Sequence, residues 1–347
     1  MKTNILTLFL ALSFISNAQI TTDIDDTIFE QHLINLGYDT GNPNGWVFTD
    51  NISDIDTLII SGYPNFEIQD LSGIEYFSSL QYLDCSENNI DSLNLNQNTT
   101  LTHLICSNNI IDELIIDNLL GLYILDCSFN LLNDINLLGN ASLTTLICFE
   151  NTLNTLVLSN NQQLGYLDCG VNNITNLDLS TMDLTTLNCQ NNALNDINLS
   201  GNTSLKWLNC YNNDLQSINL SDNINLENLF IGNVSSQPSN YSNNLSTLDI
   251  SSNCIISNLN CKNLPSLSCI EVCDTTTANF WDPQLRDPQH YFSLDCNYNV
   301  VNDISFINDE LTSLKDIYGR EVNKNYKGIV FYIYKSGNVE KRVKLDK

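Results

Sequence analysis

The sequence predicts a repeat solenoid: stacked coils with parallel strands, a helical N-terminal cap and a small all-β C-terminal tail. Two observations carry the solenoid and a third the tail. Seven cysteines fall at positions 85, 106, 127, 148, 169, 189 and 210, at intervals of 21, 21, 21, 21, 20 and 21 residues. Around each one the same alternation of apolar and polar residues returns. After Leu311 charge and pattern change together, with nine of the chain's 13 basic residues gathered there.

One coil shows the grammar. It reads Leu80-Gln-Tyr-Leu83-Asp-Cys85-Ser-Glu-Asn88-Asn-Ile90, then Asp-Ser-Leu93-Asn-Leu95. This L-x-x-L-x-C-x-x-N-x-I pattern resembles the leucine-rich repeat with cysteine in the third leucine position. The resemblance implies a β-rich leucine-rich repeat of the α/β horseshoe type. In Leu83-Asp84-Cys85, alternation places Leu83 and Cys85 on one face of a short strand and Asp84 on the other. One coil cannot bury its apolar edge alone, whereas stacked coils share a continuous core. Asn88, Asn109, Asn130, Asn151, Asn172, Asn192 and Asn213 each follow a cysteine by three residues. Their amides offer donors and an acceptor to turn backbone groups that face the core. A second apolar pair, Leu93/Leu95 in the first unit and Ile218/Leu220 in the last, closes each coil. The one short interval reflects a loop residue missing between Leu179 and Leu184, which leaves the stack intact.

Residues 1–18 read as a signal peptide: Lys2, an apolar run from Ile5 to Ile15, then Ser16-Asn17-Ala18. The run is too short for a permanent bilayer anchor, and no other segment suggests one. Residues 19–54 form the expected N-terminal cap, with a helix over 24–37, Thr27 and Glu30 at capping-box spacing, and an apolar stripe including Phe29 and Leu33. Repeats occupy 55–262, interrupted by turn-forming residues 232–244. Periodicity resumes at Leu248-Asp-Ile250 and Leu259-Asn-Cys261, so Cys261 extends the ladder. Residues 263–296 close the solenoid. Cys269 before an I-x-V strand, Cys296, and Phe280, Trp281, Tyr291 and Phe292 between them resemble the closing region of secreted flavobacterial leucine-rich repeat proteins. Three strands fill residues 297–347 after a linker: Leu314–Val322, Gly328–Ile333 and Val339–Leu345. With Asp316-x-x-Gly319-Arg320-x-Val322, they resemble the C-terminal sorting domain of the type IX secretion system. That resemblance implies export to the cell surface or medium of a Bacteroidetes cell, with the secretion machinery as one partner.

Of 12 cysteines, those of the ladder are not expected to pair. Stacked in register, their Cβ atoms stand about 4.8 Å apart with parallel bond vectors, against roughly 3.8 Å in a disulfide. Buried there, a thiol serves as a small hydrophobe. The rival reading, a thiolate metal site, lacks tetrahedral convergence. Cys254, Cys269, Cys273 and Cys296 remain, with three possible pairings. The resemblance implies Cys269–Cys296, and Cys254–Cys273 follows only by elimination.

The chain has 13 Lys and Arg against 40 Asp and Glu, a net charge of −27. Outside the tail and Lys2, only Lys206, Lys262 and Arg286 oppose 36 acids. Such a surface repels nucleic acid and anionic lipid and attracts cations such as Ca²⁺, although a solvated anionic face accounts for it as well. No catalytic motif emerges from the three histidines, His32, His103 and His290, and no cofactor is implied. His103 should face outward with Asp84 and Asp126 on the flanking strands, yet without a nucleophile or oxyanion donor.

The residues flanking each L-x-C pair point out of the predicted sheet. They include Tyr82, His103, Phe149, Tyr166, Trp207, Tyr211 and Phe230, with Asp84, Asp126 and Asp168 nearby. Folding gives no reason to expose Trp207 and Tyr211 on one strand, and exposed aromatics are common in recognition surfaces. The candidate ligand-binding residues are therefore Tyr166, Trp207, Asn209, Tyr211 and Phe230, with Tyr241 of the insertion folding over the rim. The expected function is non-catalytic binding of a protein or glycan at or outside the cell surface. The alternatives are a structural or adhesive surface-layer protein, and a hydrolase whose site the sequence hides.

Overall fold

The computed structural model describes residues 19–62, 67–233, 241–278, 281–296, 311–316, 319–322, 328–334 and 339–344. The proposed signal peptide and Phe280 lie outside them. The chain forms two compact units, residues 1–296 and 297–347.

The first unit opens with an antiparallel pair, Thr21–Asp23 with Trp46–Phe48, bracketing helix α1 (Thr27–Asn35). The sequence suggested a longer helix with a Thr27/Glu30 capping box, but the N-cap is Asp26. Its Oδ1 accepts from the Ile28 and Phe29 amides at 2.7 and 3.0 Å. Its Oδ2 accepts from Gln69 and Asp70 at 2.7 and 3.1 Å, tying the cap to the first coil. Burial raises the Asp26 pKa, but these four N–H bonds outweigh it and the net shift is downward. Glu30, fully buried, instead accepts from the backbone amides of Asn44 and Gly45 at 2.7 and 2.8 Å. Gly37, at φ +85°, takes the left-handed conformation that follows the helix.

The coils then lay down ten parallel strands in chain order. They are β1 (Thr57–Ile59), β2 (Tyr82–Asp84), β3 (His103–Ile105), β4 (Ile124–Asp126), β5 (Thr145–Ile147), β6 (Tyr166–Asp168), β7 (Thr186–Asn188), β8 (Trp207–Asn209), β9 (Asn228–Phe230) and β10 (Asn258–Asn260). Register is strict: Tyr82 pairs with His103, Leu83 with Leu104 and Asp84 with Ile105, and so on along the sheet. The central leucines and the ladder cysteines are buried, as are Leu93, Leu95 and their counterparts on the return arms except Ile218, which is partly buried. Those arms are mostly irregular, with one short parallel pair, Ser92–Asn94 with Glu113–Ile115.

The ladder asparagines do more than close their own turns. The Asn109 amide donates to the carbonyls of Cys85 and Cys106 at 3.0 and 3.1 Å, and its oxygen accepts from the Ile90 amide at 3.0 Å. Each coil is thus stitched to the one before. A second row, unremarked in the sequence, lies at the far end of the return arms: Asn98, Asn140, Asn161, Asn202, Asn223 and Asn253, all buried. Asn140 Nδ2, for example, donates to Ile116 and Leu119 of the previous coil at 3.0 and 3.1 Å. The residue before each ladder asparagine takes positive φ, even where it is Phe129 or Val171.

The insertion enters between Ile231, at the ladder position of its coil, and Asn243. Asn243, twelve residues on rather than three, does the ladder work by donating to Cys210 and Ile231 at 2.8 and 2.9 Å. Asn233 closes the neck of the loop, accepting from the Asn243 amide at 2.8 Å and donating to its carbonyl at 2.9 Å.

At the closing end, Leu248–Ile250 pairs in parallel with Cys269–Val272, which pairs with Tyr291–Ser293. Cys269 and Cys296 form the disulfide, Cα atoms 5.7 Å apart. Trp281 Nε1 donates to the Ile256 carbonyl at 3.1 Å, and its ring meets Phe292 edge-on at 5.2 Å. The remaining described cysteines, Cys254 and Cys273 included, are free thiols.

The second unit is an antiparallel sheet of Leu311–Asp316, Gly328–Tyr334 and Val339–Lys344. The first predicted strand does not run through to Val322. The chain doubles back at Gly319 (φ +76°), so that the Val322 amide donates to Leu314 at 2.8 Å.

Candidate functional site

Each strand of the ten-stranded sheet buries its central leucine and the following ladder residue, leaving three outward positions: the first, the third and the one after the ladder residue. Register aligns these as three rows that cross the sheet.

Toward the C-terminal end the rows converge on an aromatic cluster. Trp207 on β8 and Phe230 on β9 lie 5.5 Å apart between ring centroids, and Tyr211 meets Phe230 at 6.1 Å. All three are half-buried. Burial, with the buried Cys261 and Cys210 beside it, pushes the Tyr211 phenol well above its usual range, so it is neutral and a hydrogen-bond donor. Amides surround the rings. Asn228 is the register partner of Trp207 and accepts from Asn258 Nδ2 at 2.6 Å.

Asn209 belongs to this group by position but not by accessibility. It is only 8% exposed; its Nδ2 donates to Gln190 Oε1 at 2.9 Å, and its Oδ1 accepts from the Tyr211 amide at 3.3 Å. It positions Gln190 and Tyr211 rather than offering a free amide. Tyr166 stands on β6 in the same row as Trp207, two strands away, with Thr186 between them. It is 37% exposed, and burial followed by Asp168 and Asp126 raises its phenol. Tyr241 lies at the returning foot of the insertion, two residues before Asn243, and is half-buried.

Over the first six strands the outward third position alternates strictly: Ile59, Asp84, Ile105, Asp126, Ile147, Asp168. The sequence reading singled out the acids but missed the alternation, which emerges only when the residue pairs are aligned. Asp84 and Asp126 lie on the strands that flank His103, as expected from the sequence, but at their third positions rather than opposite it. Its register partners are Tyr82 and Ile124, Ile105 separates Asp84 from Asp126, and its Nδ1 is 2.8 Å from Thr102 Oγ1. A second aromatic pair, Phe129 and Phe149, lies 5.4 Å apart near the ladder turns.

One Cys/His/Asp grouping, also missed, sits in the closing region. Cys261 Sγ is 3.6 Å from His290 Nδ1, and His290 Nε2 is 3.6 Å from Asp287 Oδ2. The residue types suit nucleophilic catalysis, but the electrostatics do not. Burial and the Asp287 charge push the Cys261 thiol up to about 12. The Asp287 carboxylate accepts from the Asn263 and Leu264 amides at 2.9 and 2.7 Å, and His290 Nδ1 takes the Asp287 amide at 3.3 Å. The grouping fastens the cap to β10. Among the described residues no three His, Cys, Asp or Glu side chains converge to hold a metal ion, and no helix is long and apolar enough to cross a membrane.

Neither a protein-family model nor a curated protein matches the chain. Solved structures do. A leucine-rich repeat protein of Leptospira interrogans superposes with a TM-score of 0.51 at 21% identity, covering 67% of this chain and 65% of that one. Internalin C2 from Listeria monocytogenes gives 0.53 at 23%, covering 63% and 99%. The fold is a leucine-rich repeat. The plant peptide hormone receptor RGFR1, solved in complex with RGF2, also aligns, at 0.53 and 17% identity, over 64% of this chain and 41% of its own. The leucine-rich repeat chain thus spans less than two thirds of the Leptospira and plant proteins.

Proposed function

We propose that this leucine-rich repeat protein is a non-catalytic binding protein whose outward sheet face recognises an extracellular protein or glycan. The aromatic cluster of Trp207, Tyr211 and Phe230 carries the reading. It exposes stacking area on a rigid scaffold where the fold asks only for residues that pack on a sheet, and its amide rim suits a sugar ring or a protein's aromatic edge. The insertion leaves the solenoid at Asn233 and returns at Asn243, just past the strand that carries Phe230, and loops so anchored on rigid frames often bind. A peptide-hormone receptor sharing the fold gives a precedent for use of such a scaffold in binding.

Export through residues 1–18 and a sorting role for residues 297–347 complete the proposal. Deleting residues 312–347 should leave the solenoid folded and strand it in the periplasm; normal arrival at the surface or medium would refute the sorting role. A glycan and protein array probed with the purified protein tests the binding role. It should return ligands whose capture weakens by about 1–3 kcal/mol in Trp207→Ala or Tyr211→Ala. An empty array, with self-assembly or surface adhesion retained, would favour a structural protein instead.

A further inference from the structure

Resting on that reading, we infer that the cluster on β8 and β9 binds an uncharged oligosaccharide, with Trp207 and Phe230 stacking on its sugar rings and the amides of Gln190, Asn228 and Asn258 meeting its hydroxyls.

Charge narrows the ligand first. On β7, β8 and β9 all three outward rows are uncharged: Thr, Asn and Gln on the first strand, Trp, Asn and Tyr on the second, Asn, Phe and Gly on the third. On β1–β6, by contrast, the third row carries Asp84, Asp126 and Asp168. Beside the cluster, Lys206 and Glu227 pair with each other at 3.9 Å, and Lys262 follows β10. An anionic polymer would meet the solenoid's surplus of acids, and a basic protein would be drawn to the aspartates of the earlier strands. The cluster itself holds no charge with which to select either.

The polar groups narrow it further. Asn228 and Asn258 are register partners on β9 and β10, and Asn258 Nδ2 donates to Asn228 Oδ1 at 2.6 Å. That bond uses one group of each amide and leaves Asn228 Nδ2 and Asn258 Oδ1 without a partner among the described residues. On the other side of Trp207, Asn209 Nδ2 holds Gln190 Oε1 at 2.9 Å, which leaves Gln190 Nε2 in the same condition. A donor and an acceptor on neighbouring strands stand about 4.8 Å apart at the backbone. They complement adjacent sugar hydroxyls, each of which can both give and take a hydrogen bond. Each amide is already steadied by its neighbour, so ordering it on binding costs little.

The rings supply the other half. A sugar ring carries hydroxyls at its edge and C–H groups on its faces, and those C–H groups suit the electron-rich face of an aromatic ring. Trp207 and Phe230 lie 5.5 Å apart at 47°, and Tyr211 meets Phe230 at 6.1 Å and 60°, so the three planes are inclined rather than stacked flat. Trp207 and Tyr211 are two same-face steps apart along one strand and its continuation, about 13 Å. A platform of that length exceeds one sugar ring and takes an oligosaccharide. All three rings are half-buried against the sheet and one another, so the platform stands before a ligand arrives.

The test titrates the full chain by calorimetry with five neutral hexasaccharides (cello-, malto-, laminari-, manno- and chitohexaose) and with hexagalacturonate as the charged control. At least one neutral probe should bind, with affinity constant to about twofold between roughly 0.05 and 0.5 M salt, and hexagalacturonate should not. Trp207→Ala should weaken that binding about tenfold or more. Asn228→Asp still accepts from Asn258 but loses the donor and gains a charge, and should weaken it about threefold or more. Both variants should keep the wild-type melting temperature. Silence of all five neutral probes would overturn the inference. So would binding that falls steeply with salt, or full binding by folded Trp207→Ala. If the array then returns a protein whose capture depends on Trp207, the binding face stands and only its glycan ligand falls.

Discussion

Strands β1–β6 and β7–β10 are the same object from inside and different objects from outside. Their inward residues repeat almost without change: leucine, then in most coils cysteine, all buried. Their outward third positions do not, running Ile and Asp alternately through β6 and then Asn, Asn, Phe, Asn. The inward residues are constrained because every coil supplies one layer of a shared core. The outward residues answer to no such neighbour. The aromatic cluster and the alternating acids both lie among them.

The contrast can be broken most severely from the inside. Leu208→Ala removes a fully buried side chain directly between Trp207 and Asn209. It should cost about 2–5 kcal/mol in denaturant unfolding, where Trp207→Ala costs little. Comparable losses for the two would erase the distinction between faces.

The thiols sharpen it. The seven ladder cysteines are free and buried, and burial holds each thiol above its usual range, Cys210 at about 12. They should resist alkylation in the native protein and react as free thiols on denaturation without reductant. A Cys85–Cys106 crosslink found by mass mapping would contradict the stacked geometry.

Acid should weaken the tie between the cap and the first coil. Asp26 has a lowered folded pKa, so its contribution is complete above its unfolded value of about 3.9 and is lost as pH falls through the lower folded value. In Asp26→Asn, the acid limb of the stability profile should flatten over that window. An unchanged limb would show that other carboxylates dominate.

The smallest effect concerns the outward acids. Asp84→Ala should cost about 1 kcal/mol through the lost turn bonds, and Asp84→Asn almost nothing. Equal costs would mean that the charge itself stabilises the coil.

The solenoid was legible in the sequence because one buried layer, repeated, writes its period into the chain. Cys85 to Cys210 showed the strands, and Asn88 and its counterparts showed the turns. Legibility stopped where a role depends on a neighbour outside the local pattern. Glu30 stands at capping-box spacing but is drawn to the amides of Asn44 and Gly45 by a loop that no spacing rule anticipates. The Asn98 row is periodic too, yet its partners are carbonyls of the previous coil. For the site, alternation sent Trp207, Tyr211 and Phe230 to one face, and the register brought them together. Alternation also sent Asn209 outward, but could not show that Gln190 and the Tyr211 amide already occupy it. Asp84 and Asp126 fell on the strands that flank His103 as expected, and only the register of three strands showed Tyr82 and Ile124 opposite it.

If the outward face rather than the core binds the ligand, the aromatic cluster should matter to capture and not to folding. The most direct test is ligand capture from the array by the wild type and by Trp207→Ala/Tyr211→Ala, alongside their melting temperatures. Capture should fall about tenfold or more at a nearly unchanged melting temperature. A large fall in melting temperature with capture of an identified ligand intact would contradict it.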